Sequence, residues 1–264
     1  MTDHHGNDGR RAIALPRRRL LRAALAGTGV GLLAGCDALS RKPAVIDVLA
    51  AAEPLSRHVQ RFLSGDRLAS EYSESMISPV FRPNGSINPR TPEYLALKAD
   101  GFSNYRLEVR GMVEAPLEFG LAAIRGMPTR TQVTRHDCVE GWSVIGKWSG
   151  VPLSHLLELA RIKPGARYVA FHCFDDLSGN GGRYYETIDL RDAWHPQTIV
   201  AHSLNGASVG VANGAPLRMR IERKLGYKQP KYLRMIEVID SYAALQGGKG
   251  GYWEDQGYDW YGGI

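Results

Sequence analysis

An eight-residue segment at 135–142, Arg-His-Asp-Cys-Val-Glu-Gly-Trp, constrains the fold and function of this chain more than any other part of it. The alternating residues 131–135 predict a short strand, so Cys138 falls where that strand ends. A thiolate is a strong nucleophile and a soft metal ligand, and a strand end leaves it accessible to a ligand. The alternative for Cys138 is a small buried residue with a weak S–H donor. The segment therefore predicts a reactive or metal-binding thiol at the edge of a sheet, or a packed core cysteine.

A second segment, farther along the chain, combines glycines with basic residues. It runs from Gly-Ala-Pro-Leu-Arg at 214–218 to Gly-Tyr-Lys-Gln-Pro-Lys at 226–231. A guanidinium group can bind a phosphate through two hydrogen bonds, and an ammonium group acts on it as a point charge. Basic neighbours such as Arg223, Lys224 and Lys228 are also typical of a solvated surface. From the residues alone, the pattern indicates an exposed basic run.

Together the two segments resemble the sulfite oxidase family of molybdopterin-dependent oxidoreductases, in particular its bacterial periplasmic branch, which includes a methionine-sulfoxide reductase catalytic subunit. The likeness extends over about residues 105–239. It implies an α+β, sulfite-oxidase-type molybdopterin-binding fold with mixed β-sheets and short helices, built around a molybdenum–molybdopterin cofactor. In that family the matching cysteine binds molybdenum, so Cys138 is the predicted metal ligand. Glu140 matches a position beside the metal, where a carboxylate can exchange a proton; its alternative role is to bind loop N–H groups.

The same resemblance predicts the residues that bind the cofactor. Gln229, Pro230 and Lys231 match the family's phosphate loop. Cys173 stands where relatives have a small polar residue, and Asn84 lies near an asparagine-containing segment from which the local sequence departs. The predicted cofactor-binding set is Asn84, Cys173, Asn213, Arg218, Lys228, Gln229, Pro230 and Lys231.

The three cysteines leave one structural alternative open. If Cys36 carries a lipid, Cys138 and Cys173 are the two remaining thiols. In an oxidising compartment two thiols can form a disulfide, and nothing in the neighbouring residues decides against it. Packing alone is a further alternative for Cys173.

Residues 1–35 predict a signal peptide of the twin-arginine type with a lipobox. Arg17 and Arg18 precede an apolar run at 23–35, whose 13 residues are fewer than the roughly 20 that span a bilayer. Leu-Ala-Gly-Cys at 33–36 resembles a lipoprotein cleavage site, with lipid on Cys36. An ordinary secretory leader and an unmodified Cys36 are the alternatives. The leader predicts a periplasmic protein that is anchored to a membrane through lipidated Cys36.

The charge of the chain argues against a nucleic-acid partner. The leader holds six arginines and two aspartates, so it supplies +4 of the formal net charge of +6. The rest carries only about +2, without the clustered basic face that nucleic-acid binding requires.

Three regions are predicted after the leader. Residues 36–104 form an N-terminal helix, in which Pro54 breaks or kinks the periodic stretch 41–63, followed by an extended arm with four prolines at 79–92. Residues 105–246 form the molybdopterin-binding domain. The aromatic, glycine-rich tail at 247–264 wraps the domain or contacts a partner.

Short strands and short helices alternate in the predicted domain, as in an α+β fold. The predicted strands are 105–113, 131–135, 167–173, 184–188, 216–221 and 233–239, and the predicted helices are 117–124 and 152–160.

The family resemblance implies two-electron oxygen-atom transfer at molybdenum, as S- or N-oxide reduction or sulfite-type oxidation of a small molecule. The sequence has no Cys-x-x-Cys-His haem motif, so a separate electron carrier is expected, and a membrane b-type cytochrome is the family-like candidate. Two alternatives stay open from the residues alone. One is a non-catalytic periplasmic binding lipoprotein on the same fold, and the other is a thiol enzyme that pairs Cys138 with His136.

Overall fold

The computed structural model describes residues 42–179 and 181–264. The predicted export signal and Cys36 lie outside the described residues. The chain divides into two compact units, Met1–Val59 and Gln60–Ile264, and all the strands named below belong to the second.

The described residues form short strands and mostly short helices. The helices are α1 (Pro43–Ser64), α2 (Pro92–Ala99), α3 (Leu121–Arg125), α4 (Leu153–Ala160), α5 (Leu190–Ala193) and α6 (Tyr252–Asp255). The strands are β1 (Arg106–Gly111), β2 (Leu117–Gly120), β3 (Arg130–Asp137), β4 (Ser143–Pro152), β5 (Tyr168–Asp176), β6 (Arg183–Asp189), β7 (Thr198–Leu204), β8 (Ala207–Ser208), β9 (Arg218–Ile221) and β10 (Leu233–Ile239). Among the described helices, none has both the length and the apolar character needed to cross a membrane.

Two five-stranded sheets carry the fold. The first has the order β2-β1-β10-β5-β6, and it is mixed because β1 and β10 run parallel while the other pairs are antiparallel. The second is antiparallel, with the order β3-β4-β7-β8 and with β9 also paired to β7. These mixed and antiparallel sheets, with short helices, confirm the predicted α+β fold.

The main core lies where helix α4 and the first sheet pack together. Leu153, Leu156, Leu157 and Ala160 lie on one face of α4 and are fully buried, as their spacing predicts. A smaller cluster forms around Trp148 of β4, whose ring Phe81 of the arm contacts edge-on at 5.0 Å between centroids. The arm therefore packs against the second sheet through its own aromatic side chain.

Most predicted elements are confirmed, and three details differ. The prediction of one helix at 117–124 is wrong, because its first residues form β2, which pairs with β1, and α3 begins only at Leu121. Pairing with the strand that immediately precedes it in the chain decides this segment against its local helical pattern. Pro54 lies inside α1 and does not end it. Strands β4 and β7 were not predicted, since glycine, serine and proline interrupt the apolar alternation in β4.

The tail packs on the domain, which is one of the two alternatives that the sequence left open. Gly251 pairs with Glu186 and Gly263 with Lys224 in isolated β-bridges. Trp260 donates its indole N–H to Thr187 Oγ1 at 2.8 Å. These contacts fix the tail along the edge strand β6, which would otherwise present unpaired backbone groups.

A buried ion-pair cluster joins the tail to the rest of the fold. Lys228 Nζ contacts Glu186 of β6 and lies 2.5 Å from Glu254 of α6, and all three side chains are almost fully buried. Burial raises the pKa of Glu186 well above its usual value, because it penalises the ionised carboxylate. Burial acts to lower the pKa of Lys228, but the two carboxylates outweigh it and the pKa is raised. The ammonium group of Lys228 therefore stays charged and compensates buried negative charge.

Replacing Lys228 with methionine tests this cluster. The variant leaves two buried carboxyl groups without a cation, so we expect the free energy of unfolding to fall by about 3–5 kcal/mol. Chemical denaturation followed by tryptophan fluorescence measures the change. The control is Arg161→Met, which removes an exposed pair with Glu114 and is expected to cost less than about 1 kcal/mol. Equal losses in the two variants would contradict a special role for the Lys228 cluster.

Candidate active site

A cavity of about 120 Å³ lies beside the loop that follows β3. The arm, the end of β5, the segment after β9 and the tail complete its walls. Its polar lining consists of Asn84, Ser86, Glu140, Asp175, Gln229 and Lys231. Its aromatic lining consists of Tyr184, Tyr227, Trp253 and Tyr258. Cys138 lines the same cavity, so the cysteine segment and the basic segment meet in space.

The loop after β3 holds Cys138 at the cavity wall. Its N–H donates to the carbonyl of Trp142 at 2.9 Å, and its own carbonyl accepts from the Gly141 N–H at 3.0 Å. Gly141 has a φ of +85°, which a residue without a side chain adopts at no steric cost. Cys138 is 9% exposed, and burial raises the pKa of its thiol. The turn thus directs a largely buried sulfur toward the cavity.

Glu140 is exposed and has one oxygen fixed. Its Oε2 accepts a hydrogen bond from Trp142 Nε1 at 2.9 Å. The Trp142 ring is itself covered by the guanidinium group of Arg82, 4.7 Å from the ring centroid. The carboxylate is therefore oriented at the cavity by an indole that packs between other side chains.

His136 does not face Cys138 as a base would. Arg220 Nη1 donates to His136 Nδ1 at 2.9 Å, so the ring proton lies on Nε2. Burial, and then the charges of Arg220 and Arg218, hold the pKa of His136 well below its usual value. Nε2 lies where Gly226 leaves room for it, because a Cβ on Gly226 would be only 2.7 Å away. The alternative of a Cys138–His136 catalytic pair therefore lacks its hydrogen bond.

Lys231 is a buried cation of the cavity wall whose hydrogen-bond partners are backbone carbonyls. Its Nζ donates to the carbonyls of Asn84 at 2.5 Å and Ser86 at 2.6 Å. Burial, followed by the charge of Arg218, lowers the pKa of Lys231 to about 7. A negative charge in the cavity would raise that pKa again, because it would stabilise the ammonium form.

Three buried acceptor atoms around the cavity have no partner. They are Asn84 Oδ1, Asp175 Oδ1 and Gln229 Oε1. Asp175 Oδ2 accepts from the Ser86 hydroxyl at 2.7 Å, and burial raises the pKa of Asp175 to about 6. Gln229 donates its Nε2 to the Lys224 carbonyl at 2.9 Å, which leaves its oxygen free. Buried acceptors are normally satisfied, so these three indicate a ligand with N–H donors.

Comparison with known proteins identifies the family to which this chain belongs. Residues 94–245, more than half of the chain, match the model of the oxidoreductase molybdopterin binding domain. The chain belongs to this family of sulfite oxidase-type molybdopterin oxidoreductases. It is an enzyme of that type, and its domain implies a molybdopterin cofactor.

Individual relatives carry more specific names. A protein of Azospira oryzae, provisionally named protein-methionine-sulfoxide reductase subunit YedZ1, is 40% identical over 95% of this chain and 89% of its own length. The protein-methionine-sulfoxide reductase catalytic subunit MsrP of Xanthomonas axonopodis pv. citri is 29% identical over 85% of this chain and 70% of its own. The solved sulfane dehydrogenase SoxCD of Paracoccus pantotrophus is 22% identical, with a TM-score of 0.48 over 53% of this chain and 39% of that one.

The cavity fits a molybdopterin. A pterin carries amino and ring N–H donors, which match the unpartnered oxygens of Asn84, Asp175 and Gln229. The phosphate of molybdopterin matches Lys231, a buried cation that lies near Arg218 and donates to backbone carbonyl oxygens. The lining of the cavity is therefore compatible with this cofactor.

Six of the residues predicted from the sequence line this one cavity. They are Asn84, Cys138, Glu140, Gln229, Pro230 and Lys231. The remaining four are not part of its lining. Cys173 is fully buried in β5, where burial raises its thiol pKa strongly, and both it and Cys138 are free thiols rather than a disulfide. Lys228 belongs to the ion-pair cluster with Glu186 and Glu254.

Arg218 and Asn213 brace the backbone behind the cavity. Arg218 is almost fully buried against the ring of Trp148, and burial lowers its pKa to about 9. Its Nη1 donates to the Asn213 carbonyl at 3.0 Å and its Nη2 to the Gln229 carbonyl at 3.4 Å. The cofactor-binding roles of Arg218, Asn213, Cys173 and Lys228 stay predictions.

Sequence reasoning missed Asp175 and the aromatic lining. Asp175 follows a buried strand, and a carboxylate at a strand end was the available signal. Trp253 and Tyr258 stand in the aromatic tail, which was noticed as a segment that covers the domain and not as a cavity wall. Neither signal identifies the cavity without the tertiary structure.

The pKa of Asp175 gives a test of the cavity in cofactor-free protein. From pH 4 to 6 the unfolded chain loses this proton while the folded chain keeps it, so stability falls as pH rises. Asp175→Asn removes the effect, and the variant should therefore gain stability relative to the wild type between pH 4 and 7. The gain is at most about 3 kcal/mol, at 1.36 kcal/mol per pKa unit. Denaturation curves at several pH values measure it.

The neighbouring Asp176→Asn variant is the matched control. Burial acts to raise the pKa of Asp176, but the carboxylate accepts from the N–H groups of Ser178, Gly179 and Gly181, and these hydrogen bonds together hold the pKa below its usual value. Asp176→Asn should therefore lose stability relative to the wild type as pH rises. This change is opposite in sign to the one expected for Asp175→Asn. The same sign in both variants would contradict the assigned environment of Asp175.

Proposed function

We propose that this chain reduces methionine sulfoxide, converting the sulfoxide, two electrons and two protons into methionine and water. The observation that carries the proposal is the 40% identity, over 95% of the chain, to a relative named as a protein-methionine-sulfoxide reductase subunit. The MsrP relative, similar over 85% of the chain, supports the same reaction. Sulfite-type oxidation is the opposite direction and serves as the comparison reaction in the test.

The cofactor in this proposal is molybdopterin with molybdenum bound to the thiolate of Cys138. When bound, it would supply a two-electron redox centre for the reduction of the sulfoxide. Cys138 would hold that centre at the cavity wall, Lys231 would bind the phosphate, and the oxygens of Asn84 and Gln229 would accept pterin N–H groups. A thiolate is a suitable soft ligand for such a metal. The conformation of the loop that carries Cys138 is fixed before the cofactor binds by its hydrogen bonds with Gly141 and Trp142.

Glu140 has the position of a proton donor in this scheme. The reaction consumes two protons, and a carboxyl group at the cavity can deliver a proton to the departing oxygen and recover one from solvent. The indole of Trp142 holds one carboxylate oxygen, and the exposed position connects the other to water. The side chain is thereby oriented without being isolated from solvent.

A cysteine variant tests the reaction and the metal together. Protein from a molybdate-sufficient host is assayed with methionine sulfoxide and a reduced viologen dye, and separately with sulfite and an oxidant. Cys138→Ser should lose the wild-type molybdenum spectrum and at least about 100-fold in activity, beyond the 10- to 100-fold typical of residues behind a ligand. Glu140→Gln, in the same loop, should keep the molybdenum content and lose about 100-fold in kcat.

Each outcome has a separate consequence. Wild-type protein without molybdenum would contradict the proposed cofactor. Oxidation of sulfite without reduction of methionine sulfoxide would contradict the proposed reaction and keep the family. An active Cys138→Ser variant with an unchanged spectrum would contradict the role of Cys138.

We further propose that the chain is exported by the twin-arginine route, is anchored in the periplasm through lipid on Cys36, and receives electrons from a membrane b-type cytochrome. The support is the sequence of the leader, and the need for a carrier of single electrons outside this chain. An anchor would keep the enzyme next to a membrane-bound donor, which raises its effective concentration there.

Two leader variants test the export proposal in a bacterial host. Wild-type protein should label with radioactive fatty acid and sediment with membranes, because acyl chains partition into lipid. Cys36→Ala should be unlabelled, and replacement of Arg17 and Arg18 by lysine should leave the protein in the cytoplasm. Unlabelled wild-type protein in the soluble fraction would contradict the anchor, and export of the lysine variant would contradict the route.

A further inference from the structure

The end of the chain contributes two aromatic rings to the cavity. Trp253 and Tyr258 both line it, and both lie beyond residue 245, where the match to the molybdopterin-binding family ends. Tyr258 is 39% exposed although it packs against other rings. A large ring that is held in place yet still accessible is available for contact with a ligand.

These rings belong to a connected aromatic cluster. The Trp253 and Tyr258 centroids are 5.2 Å apart with planes inclined by 30°, and Tyr227 meets Tyr258 edge-on at 5.3 Å. Tyr252 joins Trp253 to Tyr184 through contacts of 5.3 and 5.5 Å. Two rings from the tail and two from the domain therefore form one aromatic side of the cavity.

The backbone around the two tail rings is fixed by polar contacts. Glu254, next to Trp253, is 1% exposed and paired with Lys228. Asp255 accepts from the Tyr185 hydroxyl at 2.7 Å and from the backbone N–H groups of Gly247 and Lys249, each at 3.0 Å. The Tyr258 N–H donates to the Trp253 carbonyl at 3.0 Å. The rings are thus held in position before any ligand arrives, which lowers the entropic cost of binding.

We propose that Trp253 and Tyr258 bind the methyl-sulfinyl end of the substrate and select alkyl sulfoxides over small oxyanions. The proposal rests on methionine sulfoxide reduction as the function of the site. The lining combines two chemistries: acceptors and a cation suited to the cofactor, and four aromatic rings that the cofactor's N–H groups and phosphate do not require. The aromatic rings are therefore available to bind an apolar group of the substrate.

The chemistry of a sulfoxide matches such a wall. Its sulfur is electron-poor and carries a methyl and a methylene group, whereas its oxygen is the polar end. Aromatic faces carry negative charge density and attract polarised methyl groups and sulfur. Sulfite and nitrate present only negative oxygens, which a ring face repels. The wall therefore favours a neutral thioether-type oxide.

The test measures binding and turnover in the cofactor-loaded enzyme. The ligand is an acetylated peptide with one methionine sulfoxide, and calorimetry on oxidised enzyme without an electron donor gives Kd. Trp253→Ala and Tyr258→Ala should each raise Kd and KM about three- to tenfold, from the energy of sulfur–aromatic contacts at 1.4 kcal/mol per tenfold, with kcat within about twofold. Trp253→Phe should recover most of the affinity. Molybdenum and pterin contents should equal those of the wild type.

Trp194→Ala is the matched control, because Trp194 is 40% exposed and is not part of the cavity lining. Its Kd and KM should equal the wild-type values. Unchanged Kd in the two alanine variants of an enzyme that does reduce the peptide would overturn this proposal alone. Loss of pterin in those variants would also overturn it, by assigning the rings to the cofactor. A wild-type enzyme that neither binds nor reduces the peptide would overturn both this proposal and the proposed function.

Discussion

The ion-pair cluster of Lys228 with Glu186 and Glu254 links three walls of the cavity. Lys228 lies just before the segment that supplies Gln229 and Lys231, Glu186 follows Tyr184 on β6, and Glu254 lies beside Trp253 in the tail. A buried cation and buried carboxylates stabilise each other only while all remain in contact, because each alone pays a large desolvation cost. The cluster therefore makes the position of the tail depend on the position of the basic segment. Cavity shape and fold stability are coupled at this point.

The polar lining of the cavity includes one buried cation and one buried acid. Burial, followed by the charge of Arg218, lowers the pKa of Lys231, and burial raises the pKa of Asp175. Both shifts have burial as their main cause, so both groups are kept away from water before a cofactor binds. An anionic phosphate would stabilise the charged form of Lys231, and part of its binding energy would come from that recovered charge.

Much of the fold and a part of the site could be predicted from the sequence. Strand β10 has its predicted bounds, and β1, β5, β6 and β9 differ from their predicted bounds by a few residues. The segment 117–120 was not predicted as a strand, because its apolar residues also fit a helix and only its pairing with the preceding strand β1 decides between the two. Among the site residues, the two motifs led to Cys138 and Lys231, which line one cavity. Asp175 and Trp253 come from segments more than 35 residues away from Cys138 in sequence, and only the sheet topology brings them there.

Family membership constrains the cofactor of this chain more closely than its substrate. The matched residues 94–245 include Cys138, Asp175, Gln229 and Lys231, which bring a thiol, two acceptors and a cation to one cavity. The tail lies outside the match and contributes rings rather than charges or acceptors. Among the contacts of the described residues, no ring of the tail supplies a hydrogen bond or a charge to the polar lining of the cavity. A relative could therefore differ in its tail and retain all of those groups. If the two tail rings bind the substrate as proposed, a change in the tail would alter what the cavity accepts and leave the cofactor-binding groups in place.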